Sequence, residues 1–392
     1  MLLKRNVPLM YVIGALMWGR FFIPVLALFY IASQVTLAQM SIILGVFSLS
    51  ILLLEIPTGV LSDLIGRRNT LLLSRFMFVI EIFILCFFNG FWPFLIAKVI
   101  SGIGVSLSSG TEQALLYETL KKQHRVDEHR RISGRKEFIT STSMAFVFVV
   151  GAFLFSLNNK LPAYVSLPIV TIGFILTFFL EEPYKKKDHI TFKESARHFI
   201  EGCRLFFTEK KLVALTLFAI PIAAIFSMAS SLSSAYFNKV LVPVALIGVV
   251  AALGPLLTAL SSKREHSLEE KIGADKLMML IQALYLLSVF LMIFLIPYVG
   301  AAIYLLLPFS IGLFNVFSNH HMNTIVSSKH RATMLSVKSM FENLAVFILF
   351  PIVGVFSKKT LGYSYLFLAA FLFVTIIIFV IYKNRNGISF AA

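Results

Sequence analysis

Charge is scarce in this chain. Only 14% of its 392 residues are Asp, Glu, Lys or Arg, while 58% are hydrophobic and the mean hydropathy is +0.88. A soluble domain carries about 25% charge, so a water-facing surface over most of the chain is excluded. Cysteine is scarcer still. Cys86 and Cys203 are the only two, which excludes a disulfide framework. No G-x-x-x-x-G-K-[ST] segment is present to cradle a nucleotide, which argues against an ATP-driven pump. No nucleophile–base spacing and no soluble stretch of domain length stands out. A membrane enzyme or a non-transporting receptor therefore has nothing to build on, and no cofactor is expected. The first apolar run is too long for a cleaved signal peptide and lacks a small-residue cleavage site.

What the chain has is length of apolar run. Runs long enough to cross a bilayer as helices lie at 7–31, 40–62, 69–89, 92–118, 137–157, 162–181, 212–237, 241–261, 276–297, 299–326, 333–356 and 363–382. An all-α membrane protein with about twelve spans is the reading. The net charge of +16 invites a nucleic-acid partner, but its distribution does not. Basic residues gather on alternate connections: Lys4 and Arg5, Arg67 and Arg68, Lys121–Lys136, Lys185–Lys211, Lys263–Lys276, Lys329–Arg331, and Lys383 with Arg385. The opposite connections carry only Lys160, Lys239, Lys358 and Lys359. The positive-inside rule then places both termini in the cytoplasm, and the same charges favour anionic lipid headgroups.

The largest polar interruption, Glu181–Lys211, divides the spans into two equal sets. Residues 1–184 and 212–385 read as two bundles, 185–211 as a linker and 386–392 as a tail. Within the linker Ala196, Phe199, Ile200, Cys203, Phe206 and Phe207 follow helical spacing, which predicts an amphipathic helix lying on the membrane surface. The two halves echo one another. Asp63-Leu64-Ile65-Gly66 is matched by Glu270-Lys271-Ile272-Gly273, and Ser133-x-Arg135-x-x-Phe138 by Ser336-x-Lys338-x-x-Phe341. Parallel repeats of this kind fit two pseudo-symmetric bundles related by an axis along the membrane normal.

Between the second and third runs stands Gly59-Val60-Leu61-Ser62-Asp63-Leu64-Ile65-Gly66-Arg67-Arg68. Its pattern, G-x-L-x-D-x-x-G-R-R, resembles the signature loop between helices 2 and 3 of the major facilitator superfamily of transporters. Lys98-Val99-Ile100-Ser101-Gly102-Ile103-Gly104 resembles that family's helix 4 motif, with lysine in place of the usual arginine. Glu55-Ile56-Pro57-Thr58-Gly59 and Ser109–Glu118 resemble a bacterial branch that includes exporters and siderophore-linked carriers. The Gly-Pro motif usual in helix 5 of proton-driven drug antiporters is missing from Ser143–Ser156. The resemblance implies a monomeric inner-membrane carrier working by alternating access. Export of an amphiphilic compound such as a siderophore or drug, coupled to protons, is one expectation. Proton-coupled import of an organic anion or siderophore is the alternative to that leading reading.

Ionisable residues inside apolar runs mark candidate sites. Arg20, Glu55, Lys98, Glu112, the pair His320-His321 and Glu342 are the substrate or proton-coupling candidates, with Glu81 a further intramembrane acid. The resemblance implies that helices 1, 4, 7 and 10 line the cavity, which favours Arg20, Glu112 and one of the histidines. Arg20 and Glu81 instead neutralise one another if they meet inside the first bundle, since a buried charge needs a partner. Lys98 and Glu112 would lie about 40° apart around one helix and about 21 Å apart along it, too far to pair. No metal spacing links the histidines with Glu342. The resemblance also implies a cytoplasmic gate, in which Asp63 caps the approach of helix 11 and Arg67 meets Glu118, with Arg68 and Arg131 beside them.

Overall fold

The computed structural model describes residues 2–183, 206, 208–326 and 331–390. Among these the chain is helical and forms no strand. The helices are α1 (Asn6–Met17), α2 (Leu26–Ala32), α3 (Leu37–Ile65), α4 (Arg67–Phe87), α5 (Phe91–Ser108), α6 (Thr111–Lys122), α7 (His129–Leu157) and α8 (Leu161–Thr177). After the linker come α9 (Lys210–Lys239), α10 (Val244–Ile272), α11 (Ala274–Met292), α12 (Val299–Ile325), α13 (Arg331–Ser357) and α14 (Leu361–Arg385). Among the described residues ten candidate spans are long and apolar enough to cross a membrane, with α5 and α6 together forming one of them. They turn large apolar side chains outward, Phe83, Phe153 and Ile378 among them, as lipid rather than water requires.

Several sequence expectations need adjusting. The expected first span is split into α1 and α2, and the expected sixth is the 17-residue α8, so neither is among the ten. The expected fourth span breaks at Ser109–Gly110, where Gly110 takes a φ of +70°. The eighth runs past its apolar core to Ile272, taking up residues that read as a connection. The amphipathic linker helix falls almost wholly outside the described residues.

The internal repeat reaches down to single backbone torsions. Gly66 precedes α4 with φ 90° and ψ 156°, and Gly273 precedes α11 with φ 85° and ψ 153°. Only glycine takes this conformation cheaply. Gln34 and Leu241 are left-handed at φ 63° and 64°. Each is followed by an amide donating five residues back, Val35 to Tyr30 and Val242 to Phe237, both at 2.9 Å. Gly90 then donates to the Ser33 carbonyl, and Tyr298 to that of Val240.

The chain divides into two compact units. Unit 1 comprises Met1–Thr36, Val46–Ala196 and Val244–Ala252; unit 2 comprises Leu37–Gly45, Arg197–Pro243 and Leu253–Ala392. Glycines set the closest helix approaches within each. A side chain at Gly248 would begin 2.0 Å from the Phe148 carbonyl in unit 1, and one at Gly312 would begin 2.0 Å from Ser261 Oγ in unit 2.

Candidate functional site: a basic cavity in unit 1

The first element of the site is the break between α1 and α2. Trp18–Phe22 leave the helix, and Arg20 sits in the gap. A helix broken inside a membrane frees backbone groups that other protein groups must satisfy. Here the Phe21 amide donates to Ser166 Oγ at 2.9 Å, and Ile23 donates to the Arg20 carbonyl at 3.1 Å. The Phe21 carbonyl lies against Gly151 of α7, where an added Cβ would stand only 2.0 Å away. Discontinuous helices of this kind are where carriers build their sites.

The second element is the break between α5 and α6. Gly110 turns the chain and places Glu112 in the first turn of α6, where free helix amides favour an anion. Its carboxylate bridges two cations. Arg75 of α4 reaches Oε2 at 3.1 Å, and Lys136 of α7 reaches Oε1 at 2.8 Å.

The third element lies behind these. Glu81 is fully buried on α4, with Lys98 Nζ at 2.7 Å and Arg20 at 3.4 Å. The Arg20 guanidinium stands 4.0 Å over the Phe78 ring, and that of Arg75 stands 5.9 Å from the same ring. Phe78 can lie there because Gly104 has no side chain; a Cβ would stand 2.8 Å from the ring. Arg20, Lys98, Arg75 and Lys136 thus face two carboxylates, Glu81 and Glu112. The Nε atoms of Arg20 and Arg75 are buried with no hydrogen-bond partner among the described residues.

These groups meet around a cavity of about 450 Å³. Arg20, Arg75, Glu112 and Lys136 line it, with Trp18 and Phe78 as apolar surface and the exposed Glu137 also on the wall. The size suits a small organic solute. Counting Glu137, three cations face two carboxylates on the lining, so the wall keeps a positive excess.

The other sequence candidates are placed differently. Lys98 does not line the cavity; it is committed to Glu81. The helix break also removes the straight-helix geometry assumed for Lys98 and Glu112. Glu55 is half-buried on α3 and is not on the cavity wall. In unit 2 Glu342 pairs with Lys338 at 3.7 Å, His321 bonds Glu269 at 3.0 Å, and His320 is exposed. At the expected gate Arg67 bonds Asp63 at 2.7 Å and Glu118 at 3.5 Å. Arg68 turns elsewhere: its amide donates to Glu182 and its guanidinium to the Phe178 carbonyl. Arg131 is exposed on α7. Sequence reasoning missed Arg75 and Lys136 as cavity residues. Arg75 lies inside the same apolar run as Glu81, a signal of the same kind that marked Arg20.

The fold, with its two broken helices and charged cavity, defines a membrane transporter rather than an enzyme. The chain belongs to the Major Facilitator Superfamily, which it matches over residues 9–330. An uncharacterised transporter of Buchnera aphidicola subsp. Schizaphis graminum (strain Sg) is 30% identical over 82 residues. That match spans 21% of this chain and 20% of the relative, so the chain aligns with about a fifth of that protein's length. Among solved structures, the nucleoside transporter NupG is similar with a TM-score of 0.80 at 12% identity, covering 97% of this chain and 99% of that one. A D-xylose–proton symporter is similar with a TM-score of 0.69 at 15% identity, covering 96% and 97%. At such identities the likeness is one of fold.

Proposed function

We propose that this chain is a secondary carrier that takes up a small organic anion together with a proton, and that the cavity of unit 1 recognises the anion. The observation that carries this reading is the Glu112 carboxylate held between Arg75 and Lys136. An anion entering the cavity competes with Glu112 for those two cations. Protonating Glu112 withdraws the competitor and leaves both cations to the substrate. Proton and anion then bind as partners, which is the linkage a symporter needs. Arg20, charged at all working pH values, adds a further cation on the wall. Trp18 and Phe78 give an apolar body a surface to lie against.

The positive excess favours an anion over a cationic drug. The alternating distribution of Lys and Arg supports insertion in a bacterial inner membrane with both termini cytoplasmic. The Asp63–Arg67–Glu118 set serves as a gate at that face. The test is flux in proteoliposomes containing a pH-sensitive dye, with a panel of organic anions, lipophilic cations and siderophores. Proton entry accompanies anions alone, is lost in Glu112→Gln, and anion uptake is abolished in Arg20→Gln. Transport of cations, or unchanged anion uptake in Arg20→Gln, overturns the reading.

A further inference from the structure

Unit 2 holds a second cluster of titratable groups that the proposed anion site does not use. On α10, Ser261, Glu265 and Glu269 recur one helical turn apart, facing α12. Glu265 is 2% exposed although it carries a carboxyl group. Its Oε1 is buried and receives no hydrogen bond from any described donor. Glu265 and Glu269 stand four residues apart on α10, so their side chains are neighbours on one helix face. Glu269 Oε1 in turn meets Nε2 of His321 on α12 at 3.0 Å. Two carboxylates on successive turns repel, and they bond to one another only when one of them carries a proton.

The histidine of this cluster has a cover. After α14 the chain turns at Gly387, φ +60°, and comes back along the basic end of the unit. Asp275 of α11 accepts from the Phe390 amide at 3.3 Å and from Ser389 Oγ at 3.2 Å, and pairs with Lys383 of α14 at 2.8 Å. The Phe390 ring is 5% exposed and lies 5.6 Å from the His321 ring. The neighbouring charged groups are otherwise engaged or outside. His320 is exposed, His266 faces Glu270 outward, and Lys338 of α13 is held by Ser318 and Glu342. Apart from His321, no basic side chain reaches the pair among the described ion pairs.

We infer that Glu265 and Glu269, with His321, form a proton-binding site in unit 2 that is independent of Glu112 and is closed by Phe390 of the chain's own C-terminal tail. One proton resides between the two carboxyls, on the Glu265 side, because Glu269 is turned to His321. The tail sets how fast that proton exchanges with water.

Infrared spectroscopy of the purified full chain in detergent at neutral pH reads this directly through the carboxylic acid carbonyl band. A band lost in Glu265→Gln and kept in Glu112→Gln supports the site and separates it from the anion cavity. A spectrum unchanged by Glu265→Gln overturns it. A band that appears only when sodium is withdrawn also overturns it, since a metal cation then holds the pair. On transfer to D2O the band shifts slowly in the wild type and at least about tenfold faster in Phe390→Ala, because removing the ring opens the pair to water. This second reading needs no change at Glu265, so it stands even where Glu265→Gln fails to fold. Equal exchange rates overturn the role of the tail.

Discussion

Replacing Glu81 by glutamine is the sharpest perturbation of unit 1. Glu81 has no exposed surface and faces Lys98 at 2.7 Å and Arg20 at 3.4 Å. Glutamine keeps the shape and removes the charge. Buried Lys98 and partly buried Arg20 then lose their shared counter-ion. Breaking a buried pair from one side costs about 3–5 kcal/mol, and Arg20 cannot shed its proton to escape that cost. At roughly 2–4 °C per kcal/mol for a unit of this size, the melting midpoint falls by about 6–20 °C. Lys98→Gln is milder, because Glu81 keeps Arg20; the loss is about 1–2 kcal/mol. The double variant recovers part of the Glu81→Gln loss, with a coupling of about 1–3 kcal/mol. The assay is thermal unfolding in detergent, followed by the fraction that still elutes monodisperse. The reasoning is refuted if Glu81→Gln melts with the wild type, or if Lys98→Gln is as damaging as Glu81→Gln.

Other consequences are as direct. Gly151→Ala drives a methyl group into the Phe21 carbonyl, costs about 1–3 kcal/mol, and displaces Arg20; transport falls in parallel with melting temperature. Gly312→Ala does the same to Ser261 and the Thr258 carbonyl in unit 2 and lowers the melting midpoint. Asn6 is fully buried, donates to Thr119 Oγ1 and the Glu181 carbonyl, and accepts from the Glu181 amide. Asn6→Ala therefore costs about 2–3 kcal/mol and makes the chain after Leu180 more sensitive to limited proteolysis. Arg75→Gln raises the anion KM by about 10–100-fold in the flux assay, and Arg75→Lys restores only part of it because the planar fork is lost.

Membrane spans were legible because run length is a direct reading of bilayer thickness. The tight connection between the second and third of these spans was legible, but it shrinks to Gly66 alone, since Asp63–Ile65 belong to α3 and Arg67 and Arg68 to α4; Gly66 and its sequence counterpart Gly273 take the same rare torsions. The neutralising contact of Arg20 with Glu81 followed from the cost of burying either alone. What lay hidden were the breaks. Arg20 marks a charge in Trp18–Phe22 but not a break, and nothing in the run shows where Ser166 and Gly151 stand ready to receive its backbone. Those supports come from α8 and α7, far along the chain. Partner choice was hidden for the same reason. Lys98 and Arg20 converge on one carboxylate, and Arg75 and Lys136 on another, only after four helices are packed. Glu265 and Glu269 were masked by Lys263, Arg264 and Lys271 around them, which made a buried pair look like a charged connection.

The central claim is that anion and proton bind unit 1 together. It is tested most directly by adding an organic anion that the flux assay identifies to purified protein in weakly buffered detergent, with a pH indicator present. The account predicts proton uptake from solution on binding in the wild type, weaker binding as pH rises, and no uptake in Glu112→Gln. Proton release on binding, or uptake that survives in Glu112→Gln, would contradict it.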